Sequence, residues 1–279
     1  MKKAIFILIF LISSVAEAAT PSLSVKPENV LQGEPFLATV NDTTGVKRIT
    51  FAGRAVEIFL YQNKPTALVG VDLHKKPGQY KFSVELKDGQ KLDRTVDIIK
   101  REKLEAPLDI PEKLGGNTEE SRKTLISTLA LENASINNIR SGKKIFWKEK
   151  FSFPIKDPVV TDGYGYSRLT GSYSIAHKGT DFKAQSGTAV TAMNRGVVRI
   201  ARTYRNYGKT IVVDHGLGLA TLYMHLSKIR VNEGELVLPG QLIGNSGESG
   251  YATGPHLHVS VKIKGVSVDP MKFLALFRD

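Results

Sequence analysis

Along residues 21–100 apolar and polar positions alternate with a period of two, interrupted by turn residues. In the clearest stretch Tyr80, Phe82, Val84 and Leu86 alternate with polar neighbours, Asp88-Gly89 follows, and Leu92, Val96 and Ile98 resume the apolar series. Successive strand side chains point to opposite faces, so this pattern lays one apolar face on a core. Asp-Gly between two such runs marks a hairpin. Further strands are expected at residues 36–40, 48–51, 55–60 and 67–71. Roughly seven short strands with no helical period predict a small β-sandwich over residues 19–100.

The pattern changes near residue 101. Pro107, Pro111, Gly115 and Gly116 read as a linker. Asn117 then stands where a helix cap belongs, with Glu119 and Glu120 in the first turn, where carboxylates suit the helix dipole. Leu125, Leu129, Ile136 and Ile139 keep near-helical spacing. Residues 101–150 are therefore expected to be a linker and short connector helix packed on one or both flanking domains, with Lys143, Lys144, Lys148 and Lys150 on a solvated face. From residue 151 to 279 short strands return, dense in glycine. Gly187-Thr188-Ala189-Val190 leading to Gly196-Val197-Val198 loosely resembles Gly234-Glu235-Leu236-Val237 leading to Gly240-Gln241-Leu242. Each reads as strand, turn, strand. The expected fold class is all-β: an N-terminal sandwich, a helical connector, and a C-terminal antiparallel β-sheet domain.

The first residues change the picture of where the chain works. Lys2 and Lys3 precede an apolar run, Ala4 to Val15, and Ala16-Glu17-Ala18 supplies small residues as a signal peptidase requires. Residues 1–18 thus read as a secretory leader, too short to span a membrane. The run is followed by no cysteine for a lipid anchor. Export to the periplasm, or beyond to the wall, is the expectation, with no transmembrane segment in the mature chain. The chain of 279 residues has no Cys, 41% hydrophobic residues and a net charge of +12. Two domains of this size build cores without disulfides, and any metal site is restricted to His, Asp and Glu. The positive charge attracts polyanions. With no nucleic-acid motif and with export expected, an acidic wall polymer fits better than nucleic acid.

Five of the six histidines lie in the C-terminal region. In His256-Leu257-His258 the imidazoles sit two apart, on one face of a strand. His177-Lys178-Gly179-Thr180-Asp181 offers an imidazole and a carboxylate at even spacing, which an extended stretch again turns to one side. A His, an Asp and a second His make a three-ligand zinc site whose fourth position stays free for water, the catalytic rather than the structural pattern. Tyr223-Met224-His225-Leu226 ends a strand that starts near Leu219, with His225 on the side of Tyr223 and Thr221. His215 and the loop residue His74 read as structural and solvated. There is no G-x-S-x-G elbow, H-E-x-x-H helix or P-loop.

Taken together, His177-x-x-x-Asp181, the Tyr-x-His-Leu around His225, and Gly254-Pro255-His256-Leu257-His258 resemble the lysostaphin/LytM-type peptidases of the M23 metallopeptidase family, here preceded by an immunoglobulin-like β domain. The resemblance covers roughly residues 155–270. It implies zinc (Zn2+) held by His177, Asp181 and His258, with His225 and His256 lining the site and acting in catalysis. It also implies hydrolysis of peptide bonds in peptidoglycan, with zinc activating a water and histidine moving protons. Groove walls are expected at residues 164–174 and 246–254, and Tyr164 and Tyr223 are expected as core aromatics. The competing reading is a non-catalytic wall-binding regulator that activates another hydrolase, through a protein partner not identified. The complete ligand set favours the enzyme. The sandwich is expected to target the wall or to cover the groove.

Overall fold

The computed structural model describes residues 20–42 and 45–277. The leader expected over residues 1–18 lies outside them. The N-terminal domain is a sandwich of two sheets. One runs in the order Ser22–Lys26, Pro35–Asn41, Lys64–Gly70, Phe59–Tyr61, and the other Asn29–Leu31, Lys91–Ile99, Gly78–Leu86, Val46–Phe51, Arg54–Val56. Phe36, Ile49, Val69, Phe82 and Val84 fill the space between them. The Asp88-Gly89 hairpin forms as expected, with Gly89 at φ 92° and Tyr80 paired to Val96. The stretch 55–60, expected as one strand, instead breaks into Arg54–Val56 and Phe59–Tyr61, which belong to different sheets. Crossing between sheets turns Phe59 and Tyr61 outward from the sandwich, onto Trp147.

The C-terminal domain is built on an eight-stranded sheet. Its order is Val160–Asp162, Thr180–Lys183, His256–Ile263, Leu219–Leu226, Gly208–Gly216, Gly196–Tyr204, Leu236–Val237, with Val266–Val268 also paired to His256–Ile263. Every pairing in it is antiparallel. One face carries Leu257, Val259 and Val261 into the main core with Phe182, Tyr223, Phe273 and Phe277. The other carries Ile200, Val212, Leu222 and Met224. The two loosely similar glycine-rich segments pair with each other: Ala189–Thr191 with Leu242–Asn245, and Gly196–Tyr204 with Leu236–Val237.

The connector helix spans Glu119–Asn137 and lies over that second face, burying Leu125 and Ile136. Its cap is Thr118, whose Oγ1 accepts from Ser121 N at 3.1 Å, and not Asn117. Asn117 Oδ1 instead accepts from Ile110 N at 2.8 Å and folds the linker back on itself. Ile139 lies past the helix end yet packs on the same cluster. A buried carboxylate fastens the helix down. Glu132 accepts from the backbone N–H of Asn206 at 2.9 Å and of Tyr207 at 3.3 Å. Asn206 Nδ2 donates to Thr128 Oγ1 at 2.7 Å, and Tyr207 OH to Asn133 Oδ1 at 3.1 Å. Upstream, Glu105–Pro107 pairs in parallel with Ser167–Thr170.

The two domains are docked by apolar contact and by ion pairs, among them Lys272 with Glu34 and Lys264 with Glu57, each at 3.2 Å. The Trp147 ring, buried although it falls in the connector by sequence, lies 5.5–5.6 Å from Tyr61 and Phe59 of the sandwich and 5.1–5.2 Å from Phe151 and Phe277. Arg101 donates to Gln32 O at 2.7 Å and to Asp269 Oδ2 at 3.2 Å.

Below the helix, Asp214 is fully buried and accepts from Ser141 Oγ (2.6 Å), Gly142 N (2.9 Å), Gly216 N (2.9 Å) and Arg199 (3.0 Å), which ties the end of the connector to the sheet. Asp214→Ala strands these donors in a dry site. It is expected to lower the free energy of unfolding by about 3–5 kcal/mol. Urea denaturation of the full chain measures this, and a loss under about 1 kcal/mol means that the pin is not a main support.

Candidate metal centre and groove

The site grows from one stretch of register. Asp181 stands opposite His258, and Met224 stands opposite His258 from the other side. Because alternate residues share a face, His258, Ser260 and Lys262 all line the groove while Leu257, Val259 and Val261 enter the core. His177 precedes its strand but folds back over Asp181. This close approach explains Gly179, where a Cβ would run into the His258 ring and the Val259 carbonyl.

Three donor atoms converge. His177 Nε2 lies 3.2 Å from Asp181 Oδ1 and 3.1 Å from His258 Nδ1, and His258 Nδ1 lies 2.7 Å from Asp181 Oδ1. Donors about 2.0–2.1 Å from a tetrahedral zinc stand roughly 3.3 Å apart, so this triangle fits a metal ion of that size. The donor set, two imidazoles and a carboxylate, suits the same ion. Each imidazole is oriented from behind. His177 Nδ1 donates to Gly163 O at 2.7 Å, and His258 Nε2 donates to Ser260 Oγ at 2.9 Å, which donates in turn to Lys178 O. These bonds leave the inward nitrogens with free lone pairs, the arrangement a metal-binding histidine needs. Burial alone would raise the Asp181 carboxyl, but whenever His258 or His177 takes up a second proton, its charge and its hydrogen bond outweigh burial and hold Asp181 well below the usual carboxylate range. Burial pushes His258 down, against the opposing pull of Asp181.

The other two histidines stand together beside this triangle. The His225 ring lies 4.9 Å from that of His256 and 6.0 Å from that of His258. His225 Nδ1 donates to Ser249 O and His256 Nδ1 to Gly254 O, both at 2.9 Å. Both Nε2 atoms are thereby left as acceptors. Burial, then the charges of His256 and His258, hold His225 down to about 3, so it is neutral at pH 7. One expectation needs correction. His225 does not share a face with Tyr223 and Thr221. Its backbone is left-handed, φ 58°, which breaks the strand alternation and turns the ring to the groove while Tyr223 stays fully buried. Such a φ is strained for a residue with a side chain, and the His225 N–H bond to Tyr207 O at 3.0 Å helps hold it.

The remaining candidates fall out as structure. Tyr223 OH accepts from Met193 N and contacts Thr221 Oγ1, and burial pushes it up to about 12. Tyr164 OH donates to Ser267 O inside the protein. His215 is fully buried between Arg195 O and Thr221 Oγ1, and burial takes it down to about 4. His74 is exposed, on a turn of the sandwich at the groove rim. Arg168 is the residue that sequence reasoning passed over. Its guanidinium donates to Asp181 Oδ2 at 2.8 Å and to Asp162, so the second oxygen of Asp181 is held away from the triangle. Nothing in the pattern around Arg168 marks it, since its partner comes from a strand 13 residues further on.

The groove is roofed. A cavity of about 380 Å³ is lined below by His177, His225, His258, Leu222 and Met224, and above by Leu125, Ile126 and Leu129 of the connector helix. Both expected walls contribute, through Arg168 and Ser174 on one side and Tyr251 on the other. Each is tied to the connector, the 164–174 wall through Leu108 N, which donates to Leu169 O at 2.8 Å, and the 246–254 wall through two side chains. Tyr251 OH donates to Asp109 O at 2.7 Å, and Lys113 Nζ donates to Glu248 O at 2.8 Å.

Comparison with known proteins agrees with this geometry. Residues 175–270, which contain all five site residues, match the model of Peptidase family M23. Over 96 residues the chain is 45% identical to the peptidoglycan DD-endopeptidase ShyA of Vibrio cholerae, covering 34% of this chain and 22% of that protein. Over 129 residues it is 36% identical to the DD-carboxypeptidase/endopeptidase Mpg of Neisseria meningitidis, covering 44% and 30%. The chain thus spans less than a third of the length of these two relatives. A crystal structure of a peptidase M23 from Pseudomonas aeruginosa aligns over 89% of this chain and 96% of that one, at 26% identity and a TM-score of 0.64. The match in sequence and the convergent histidines lead to one assignment: the chain carries a peptidase family M23 domain.

Proposed function

We propose that this chain is a zinc metalloendopeptidase that hydrolyses peptide bonds in peptidoglycan stem peptides or crosslinks. The observation that carries the reading is the triangle of His177, Asp181 and His258, with two further imidazoles aimed at it from one side. The names of the relatives support peptidoglycan peptide as the substrate, and a D,D crosslink is the bond to test first. The leader pattern of residues 1–18 supports work outside the cytoplasm, in the periplasm. Among the described residues no helix is long and apolar enough to cross a membrane.

His177, Asp181 and His258 would hold the ion. Bound there, zinc supplies an acidified water near neutral pH and a Lewis acid for the scissile carbonyl. The chain's own residues do the rest. Arg168 keeps one oxygen of Asp181 engaged, so that Asp181 would offer a metal a single donor. His225 and His256 present bare Nε2 atoms, able to take a proton from the nucleophile and return it to the leaving amine. The connector helix closes the groove from above, so a wall polymer enters only after the helix shifts. We read the described arrangement as a restrained state.

Purified protein is expected to bind one zinc per chain, and His177→Ala and Asp181→Ala to lose it. Near-full occupancy in both variants, by metal analysis, overturns the ligand assignment. His225→Ala and His256→Ala are expected to keep zinc and to lose about 10²-fold or more in kcat on crosslinked muropeptides. If either loses its metal while His258→Ala retains it, the division of roles is wrong. Glu132→Ala breaks the bond that fastens the helix over the groove. A charged hydrogen bond of about 1.5–3 kcal/mol corresponds to a shift of tenfold or more toward the open form. Soluble muropeptides should therefore be cut about tenfold faster by Glu132→Ala. Unchanged rates in a folded, zinc-loaded variant remove the restraint.

A further inference from the structure

Charge is unevenly satisfied across the molecule. Three arginines that are largely buried each meet a carboxylate: Arg101 meets Asp269, Arg168 meets Asp162 and Asp181, and Arg199 meets Asp214. Lys262 does not. It is half-buried on the groove face of the His256–Ile263 strand and lines the same cavity as His177 and His258. Among the described residues its ammonium makes no ion pair, and its hydrogen bond to Gly265 O is long, at 3.5 Å. Burial, and then repulsion from Lys178, push it down to about 8, so it still carries charge at neutral pH. Lys178 also lines the cavity, is exposed, and makes no ion pair among the described residues.

An ammonium partly removed from water without a charged partner costs free energy. A carboxylate brought by a ligand would recover that cost, and more effectively than at an exposed lysine, because the site is partly dry. Position adds to the argument. Lys262 lies four residues beyond His258 on the same strand face, roughly 13 Å along it at about 3.3 Å per residue. An extended peptide with its scissile bond at the metal triangle would reach Lys262 about three to four residues away.

We propose that Lys262, assisted by Lys178, forms a carboxylate-binding subsite that selects acidic peptides for this groove. The inference rests on the peptidase reading and deepens it by naming the chemistry of the substrate. The cation acts on binding and not on bond cleavage, so its loss should appear in KM rather than kcat.

The test uses the full chain loaded with zinc, and three synthetic crosslinked stem peptides of equal length. One has all carboxylates free, one is amidated at its C-terminus, and one is amidated at its side-chain or α-carboxyl groups. Wild type is expected to cut the free acid with kcat/KM at least tenfold above one of the amides, through KM, and the sensitive amide identifies which carboxylate is held. Lys262→Met should abolish this preference while leaving kcat on the amides within about threefold, with unchanged zinc content and melting temperature. Equal kcat/KM of wild type on all three peptides, or a preference that survives Lys262→Met, overturns the subsite. If neither wild type nor the released Glu132→Ala variant cuts any of them, the peptidase reading fails separately. Calorimetric titration with the same peptides then decides the subsite: tighter binding of the acid, lost in Lys262→Met, upholds it, and equal binding overturns it.

Discussion

The structure depends on the register between three neighbouring strands. Setting Asp181 beside His258, and His258 beside Met224, puts a carboxylate and an imidazole within hydrogen-bond distance and leaves the intervening Leu257 and Val259 in the core. A slip of one residue would exchange the two faces, burying the imidazoles and exposing the leucine. The apolar core therefore enforces the polar site. Register alone does not suffice, because His225 arrives from a strand whose alternation points it the wrong way. The left-handed backbone at that residue, braced by Tyr207 and Ser249, corrects the direction.

Much of this was legible in the amino-acid sequence, for physical reasons that can be traced. The hairpin at Asp88-Gly89 announces itself because alternation and turn chemistry agree over adjacent residues. The grouping of His177, Asp181 and His258 was anticipated through the resemblance to the M23 family, since even spacing left the roles of the histidines open and His177 reaches Asp181 by folding back ahead of its strand. Less was legible wherever the cause lies far away in the chain. Thr118 and Asn117 are both good caps, and the choice between them is made by Ile110, whose N–H claims Asn117. The stretch 55–60 has the pattern of one strand, yet contact with Trp147 draws its second half into the other sheet. Arg168 and Glu132 carry no local signal, because their partners are Asp181 in one case and the backbone of residues 206 and 207 in the other.

The connector has two roles that a sequence pattern cannot separate. Ile136 buries the apolar half of the sheet face, which would otherwise stand in water, while Leu125, Ile126 and Leu129 roof the polar half that holds the histidines. A helix that is part core and part cover cannot leave without exposing Leu222 and Met224. Motion is therefore more economical as a tilt about the Ile136 end, where Ser141 and Gly142 remain anchored on Asp214, than as complete release.

The chain contains a single tryptophan, and its placement has a practical consequence. Trp147 is packed between Phe59 and Tyr61 of the sandwich and Phe151 and Phe277 of the peptidase domain, with almost none of its surface in water. Indole emission shifts when its surroundings become wet. The molecule thus carries its own optical gauge of domain separation, at the one seam where the two halves would part, and it can be followed without any label.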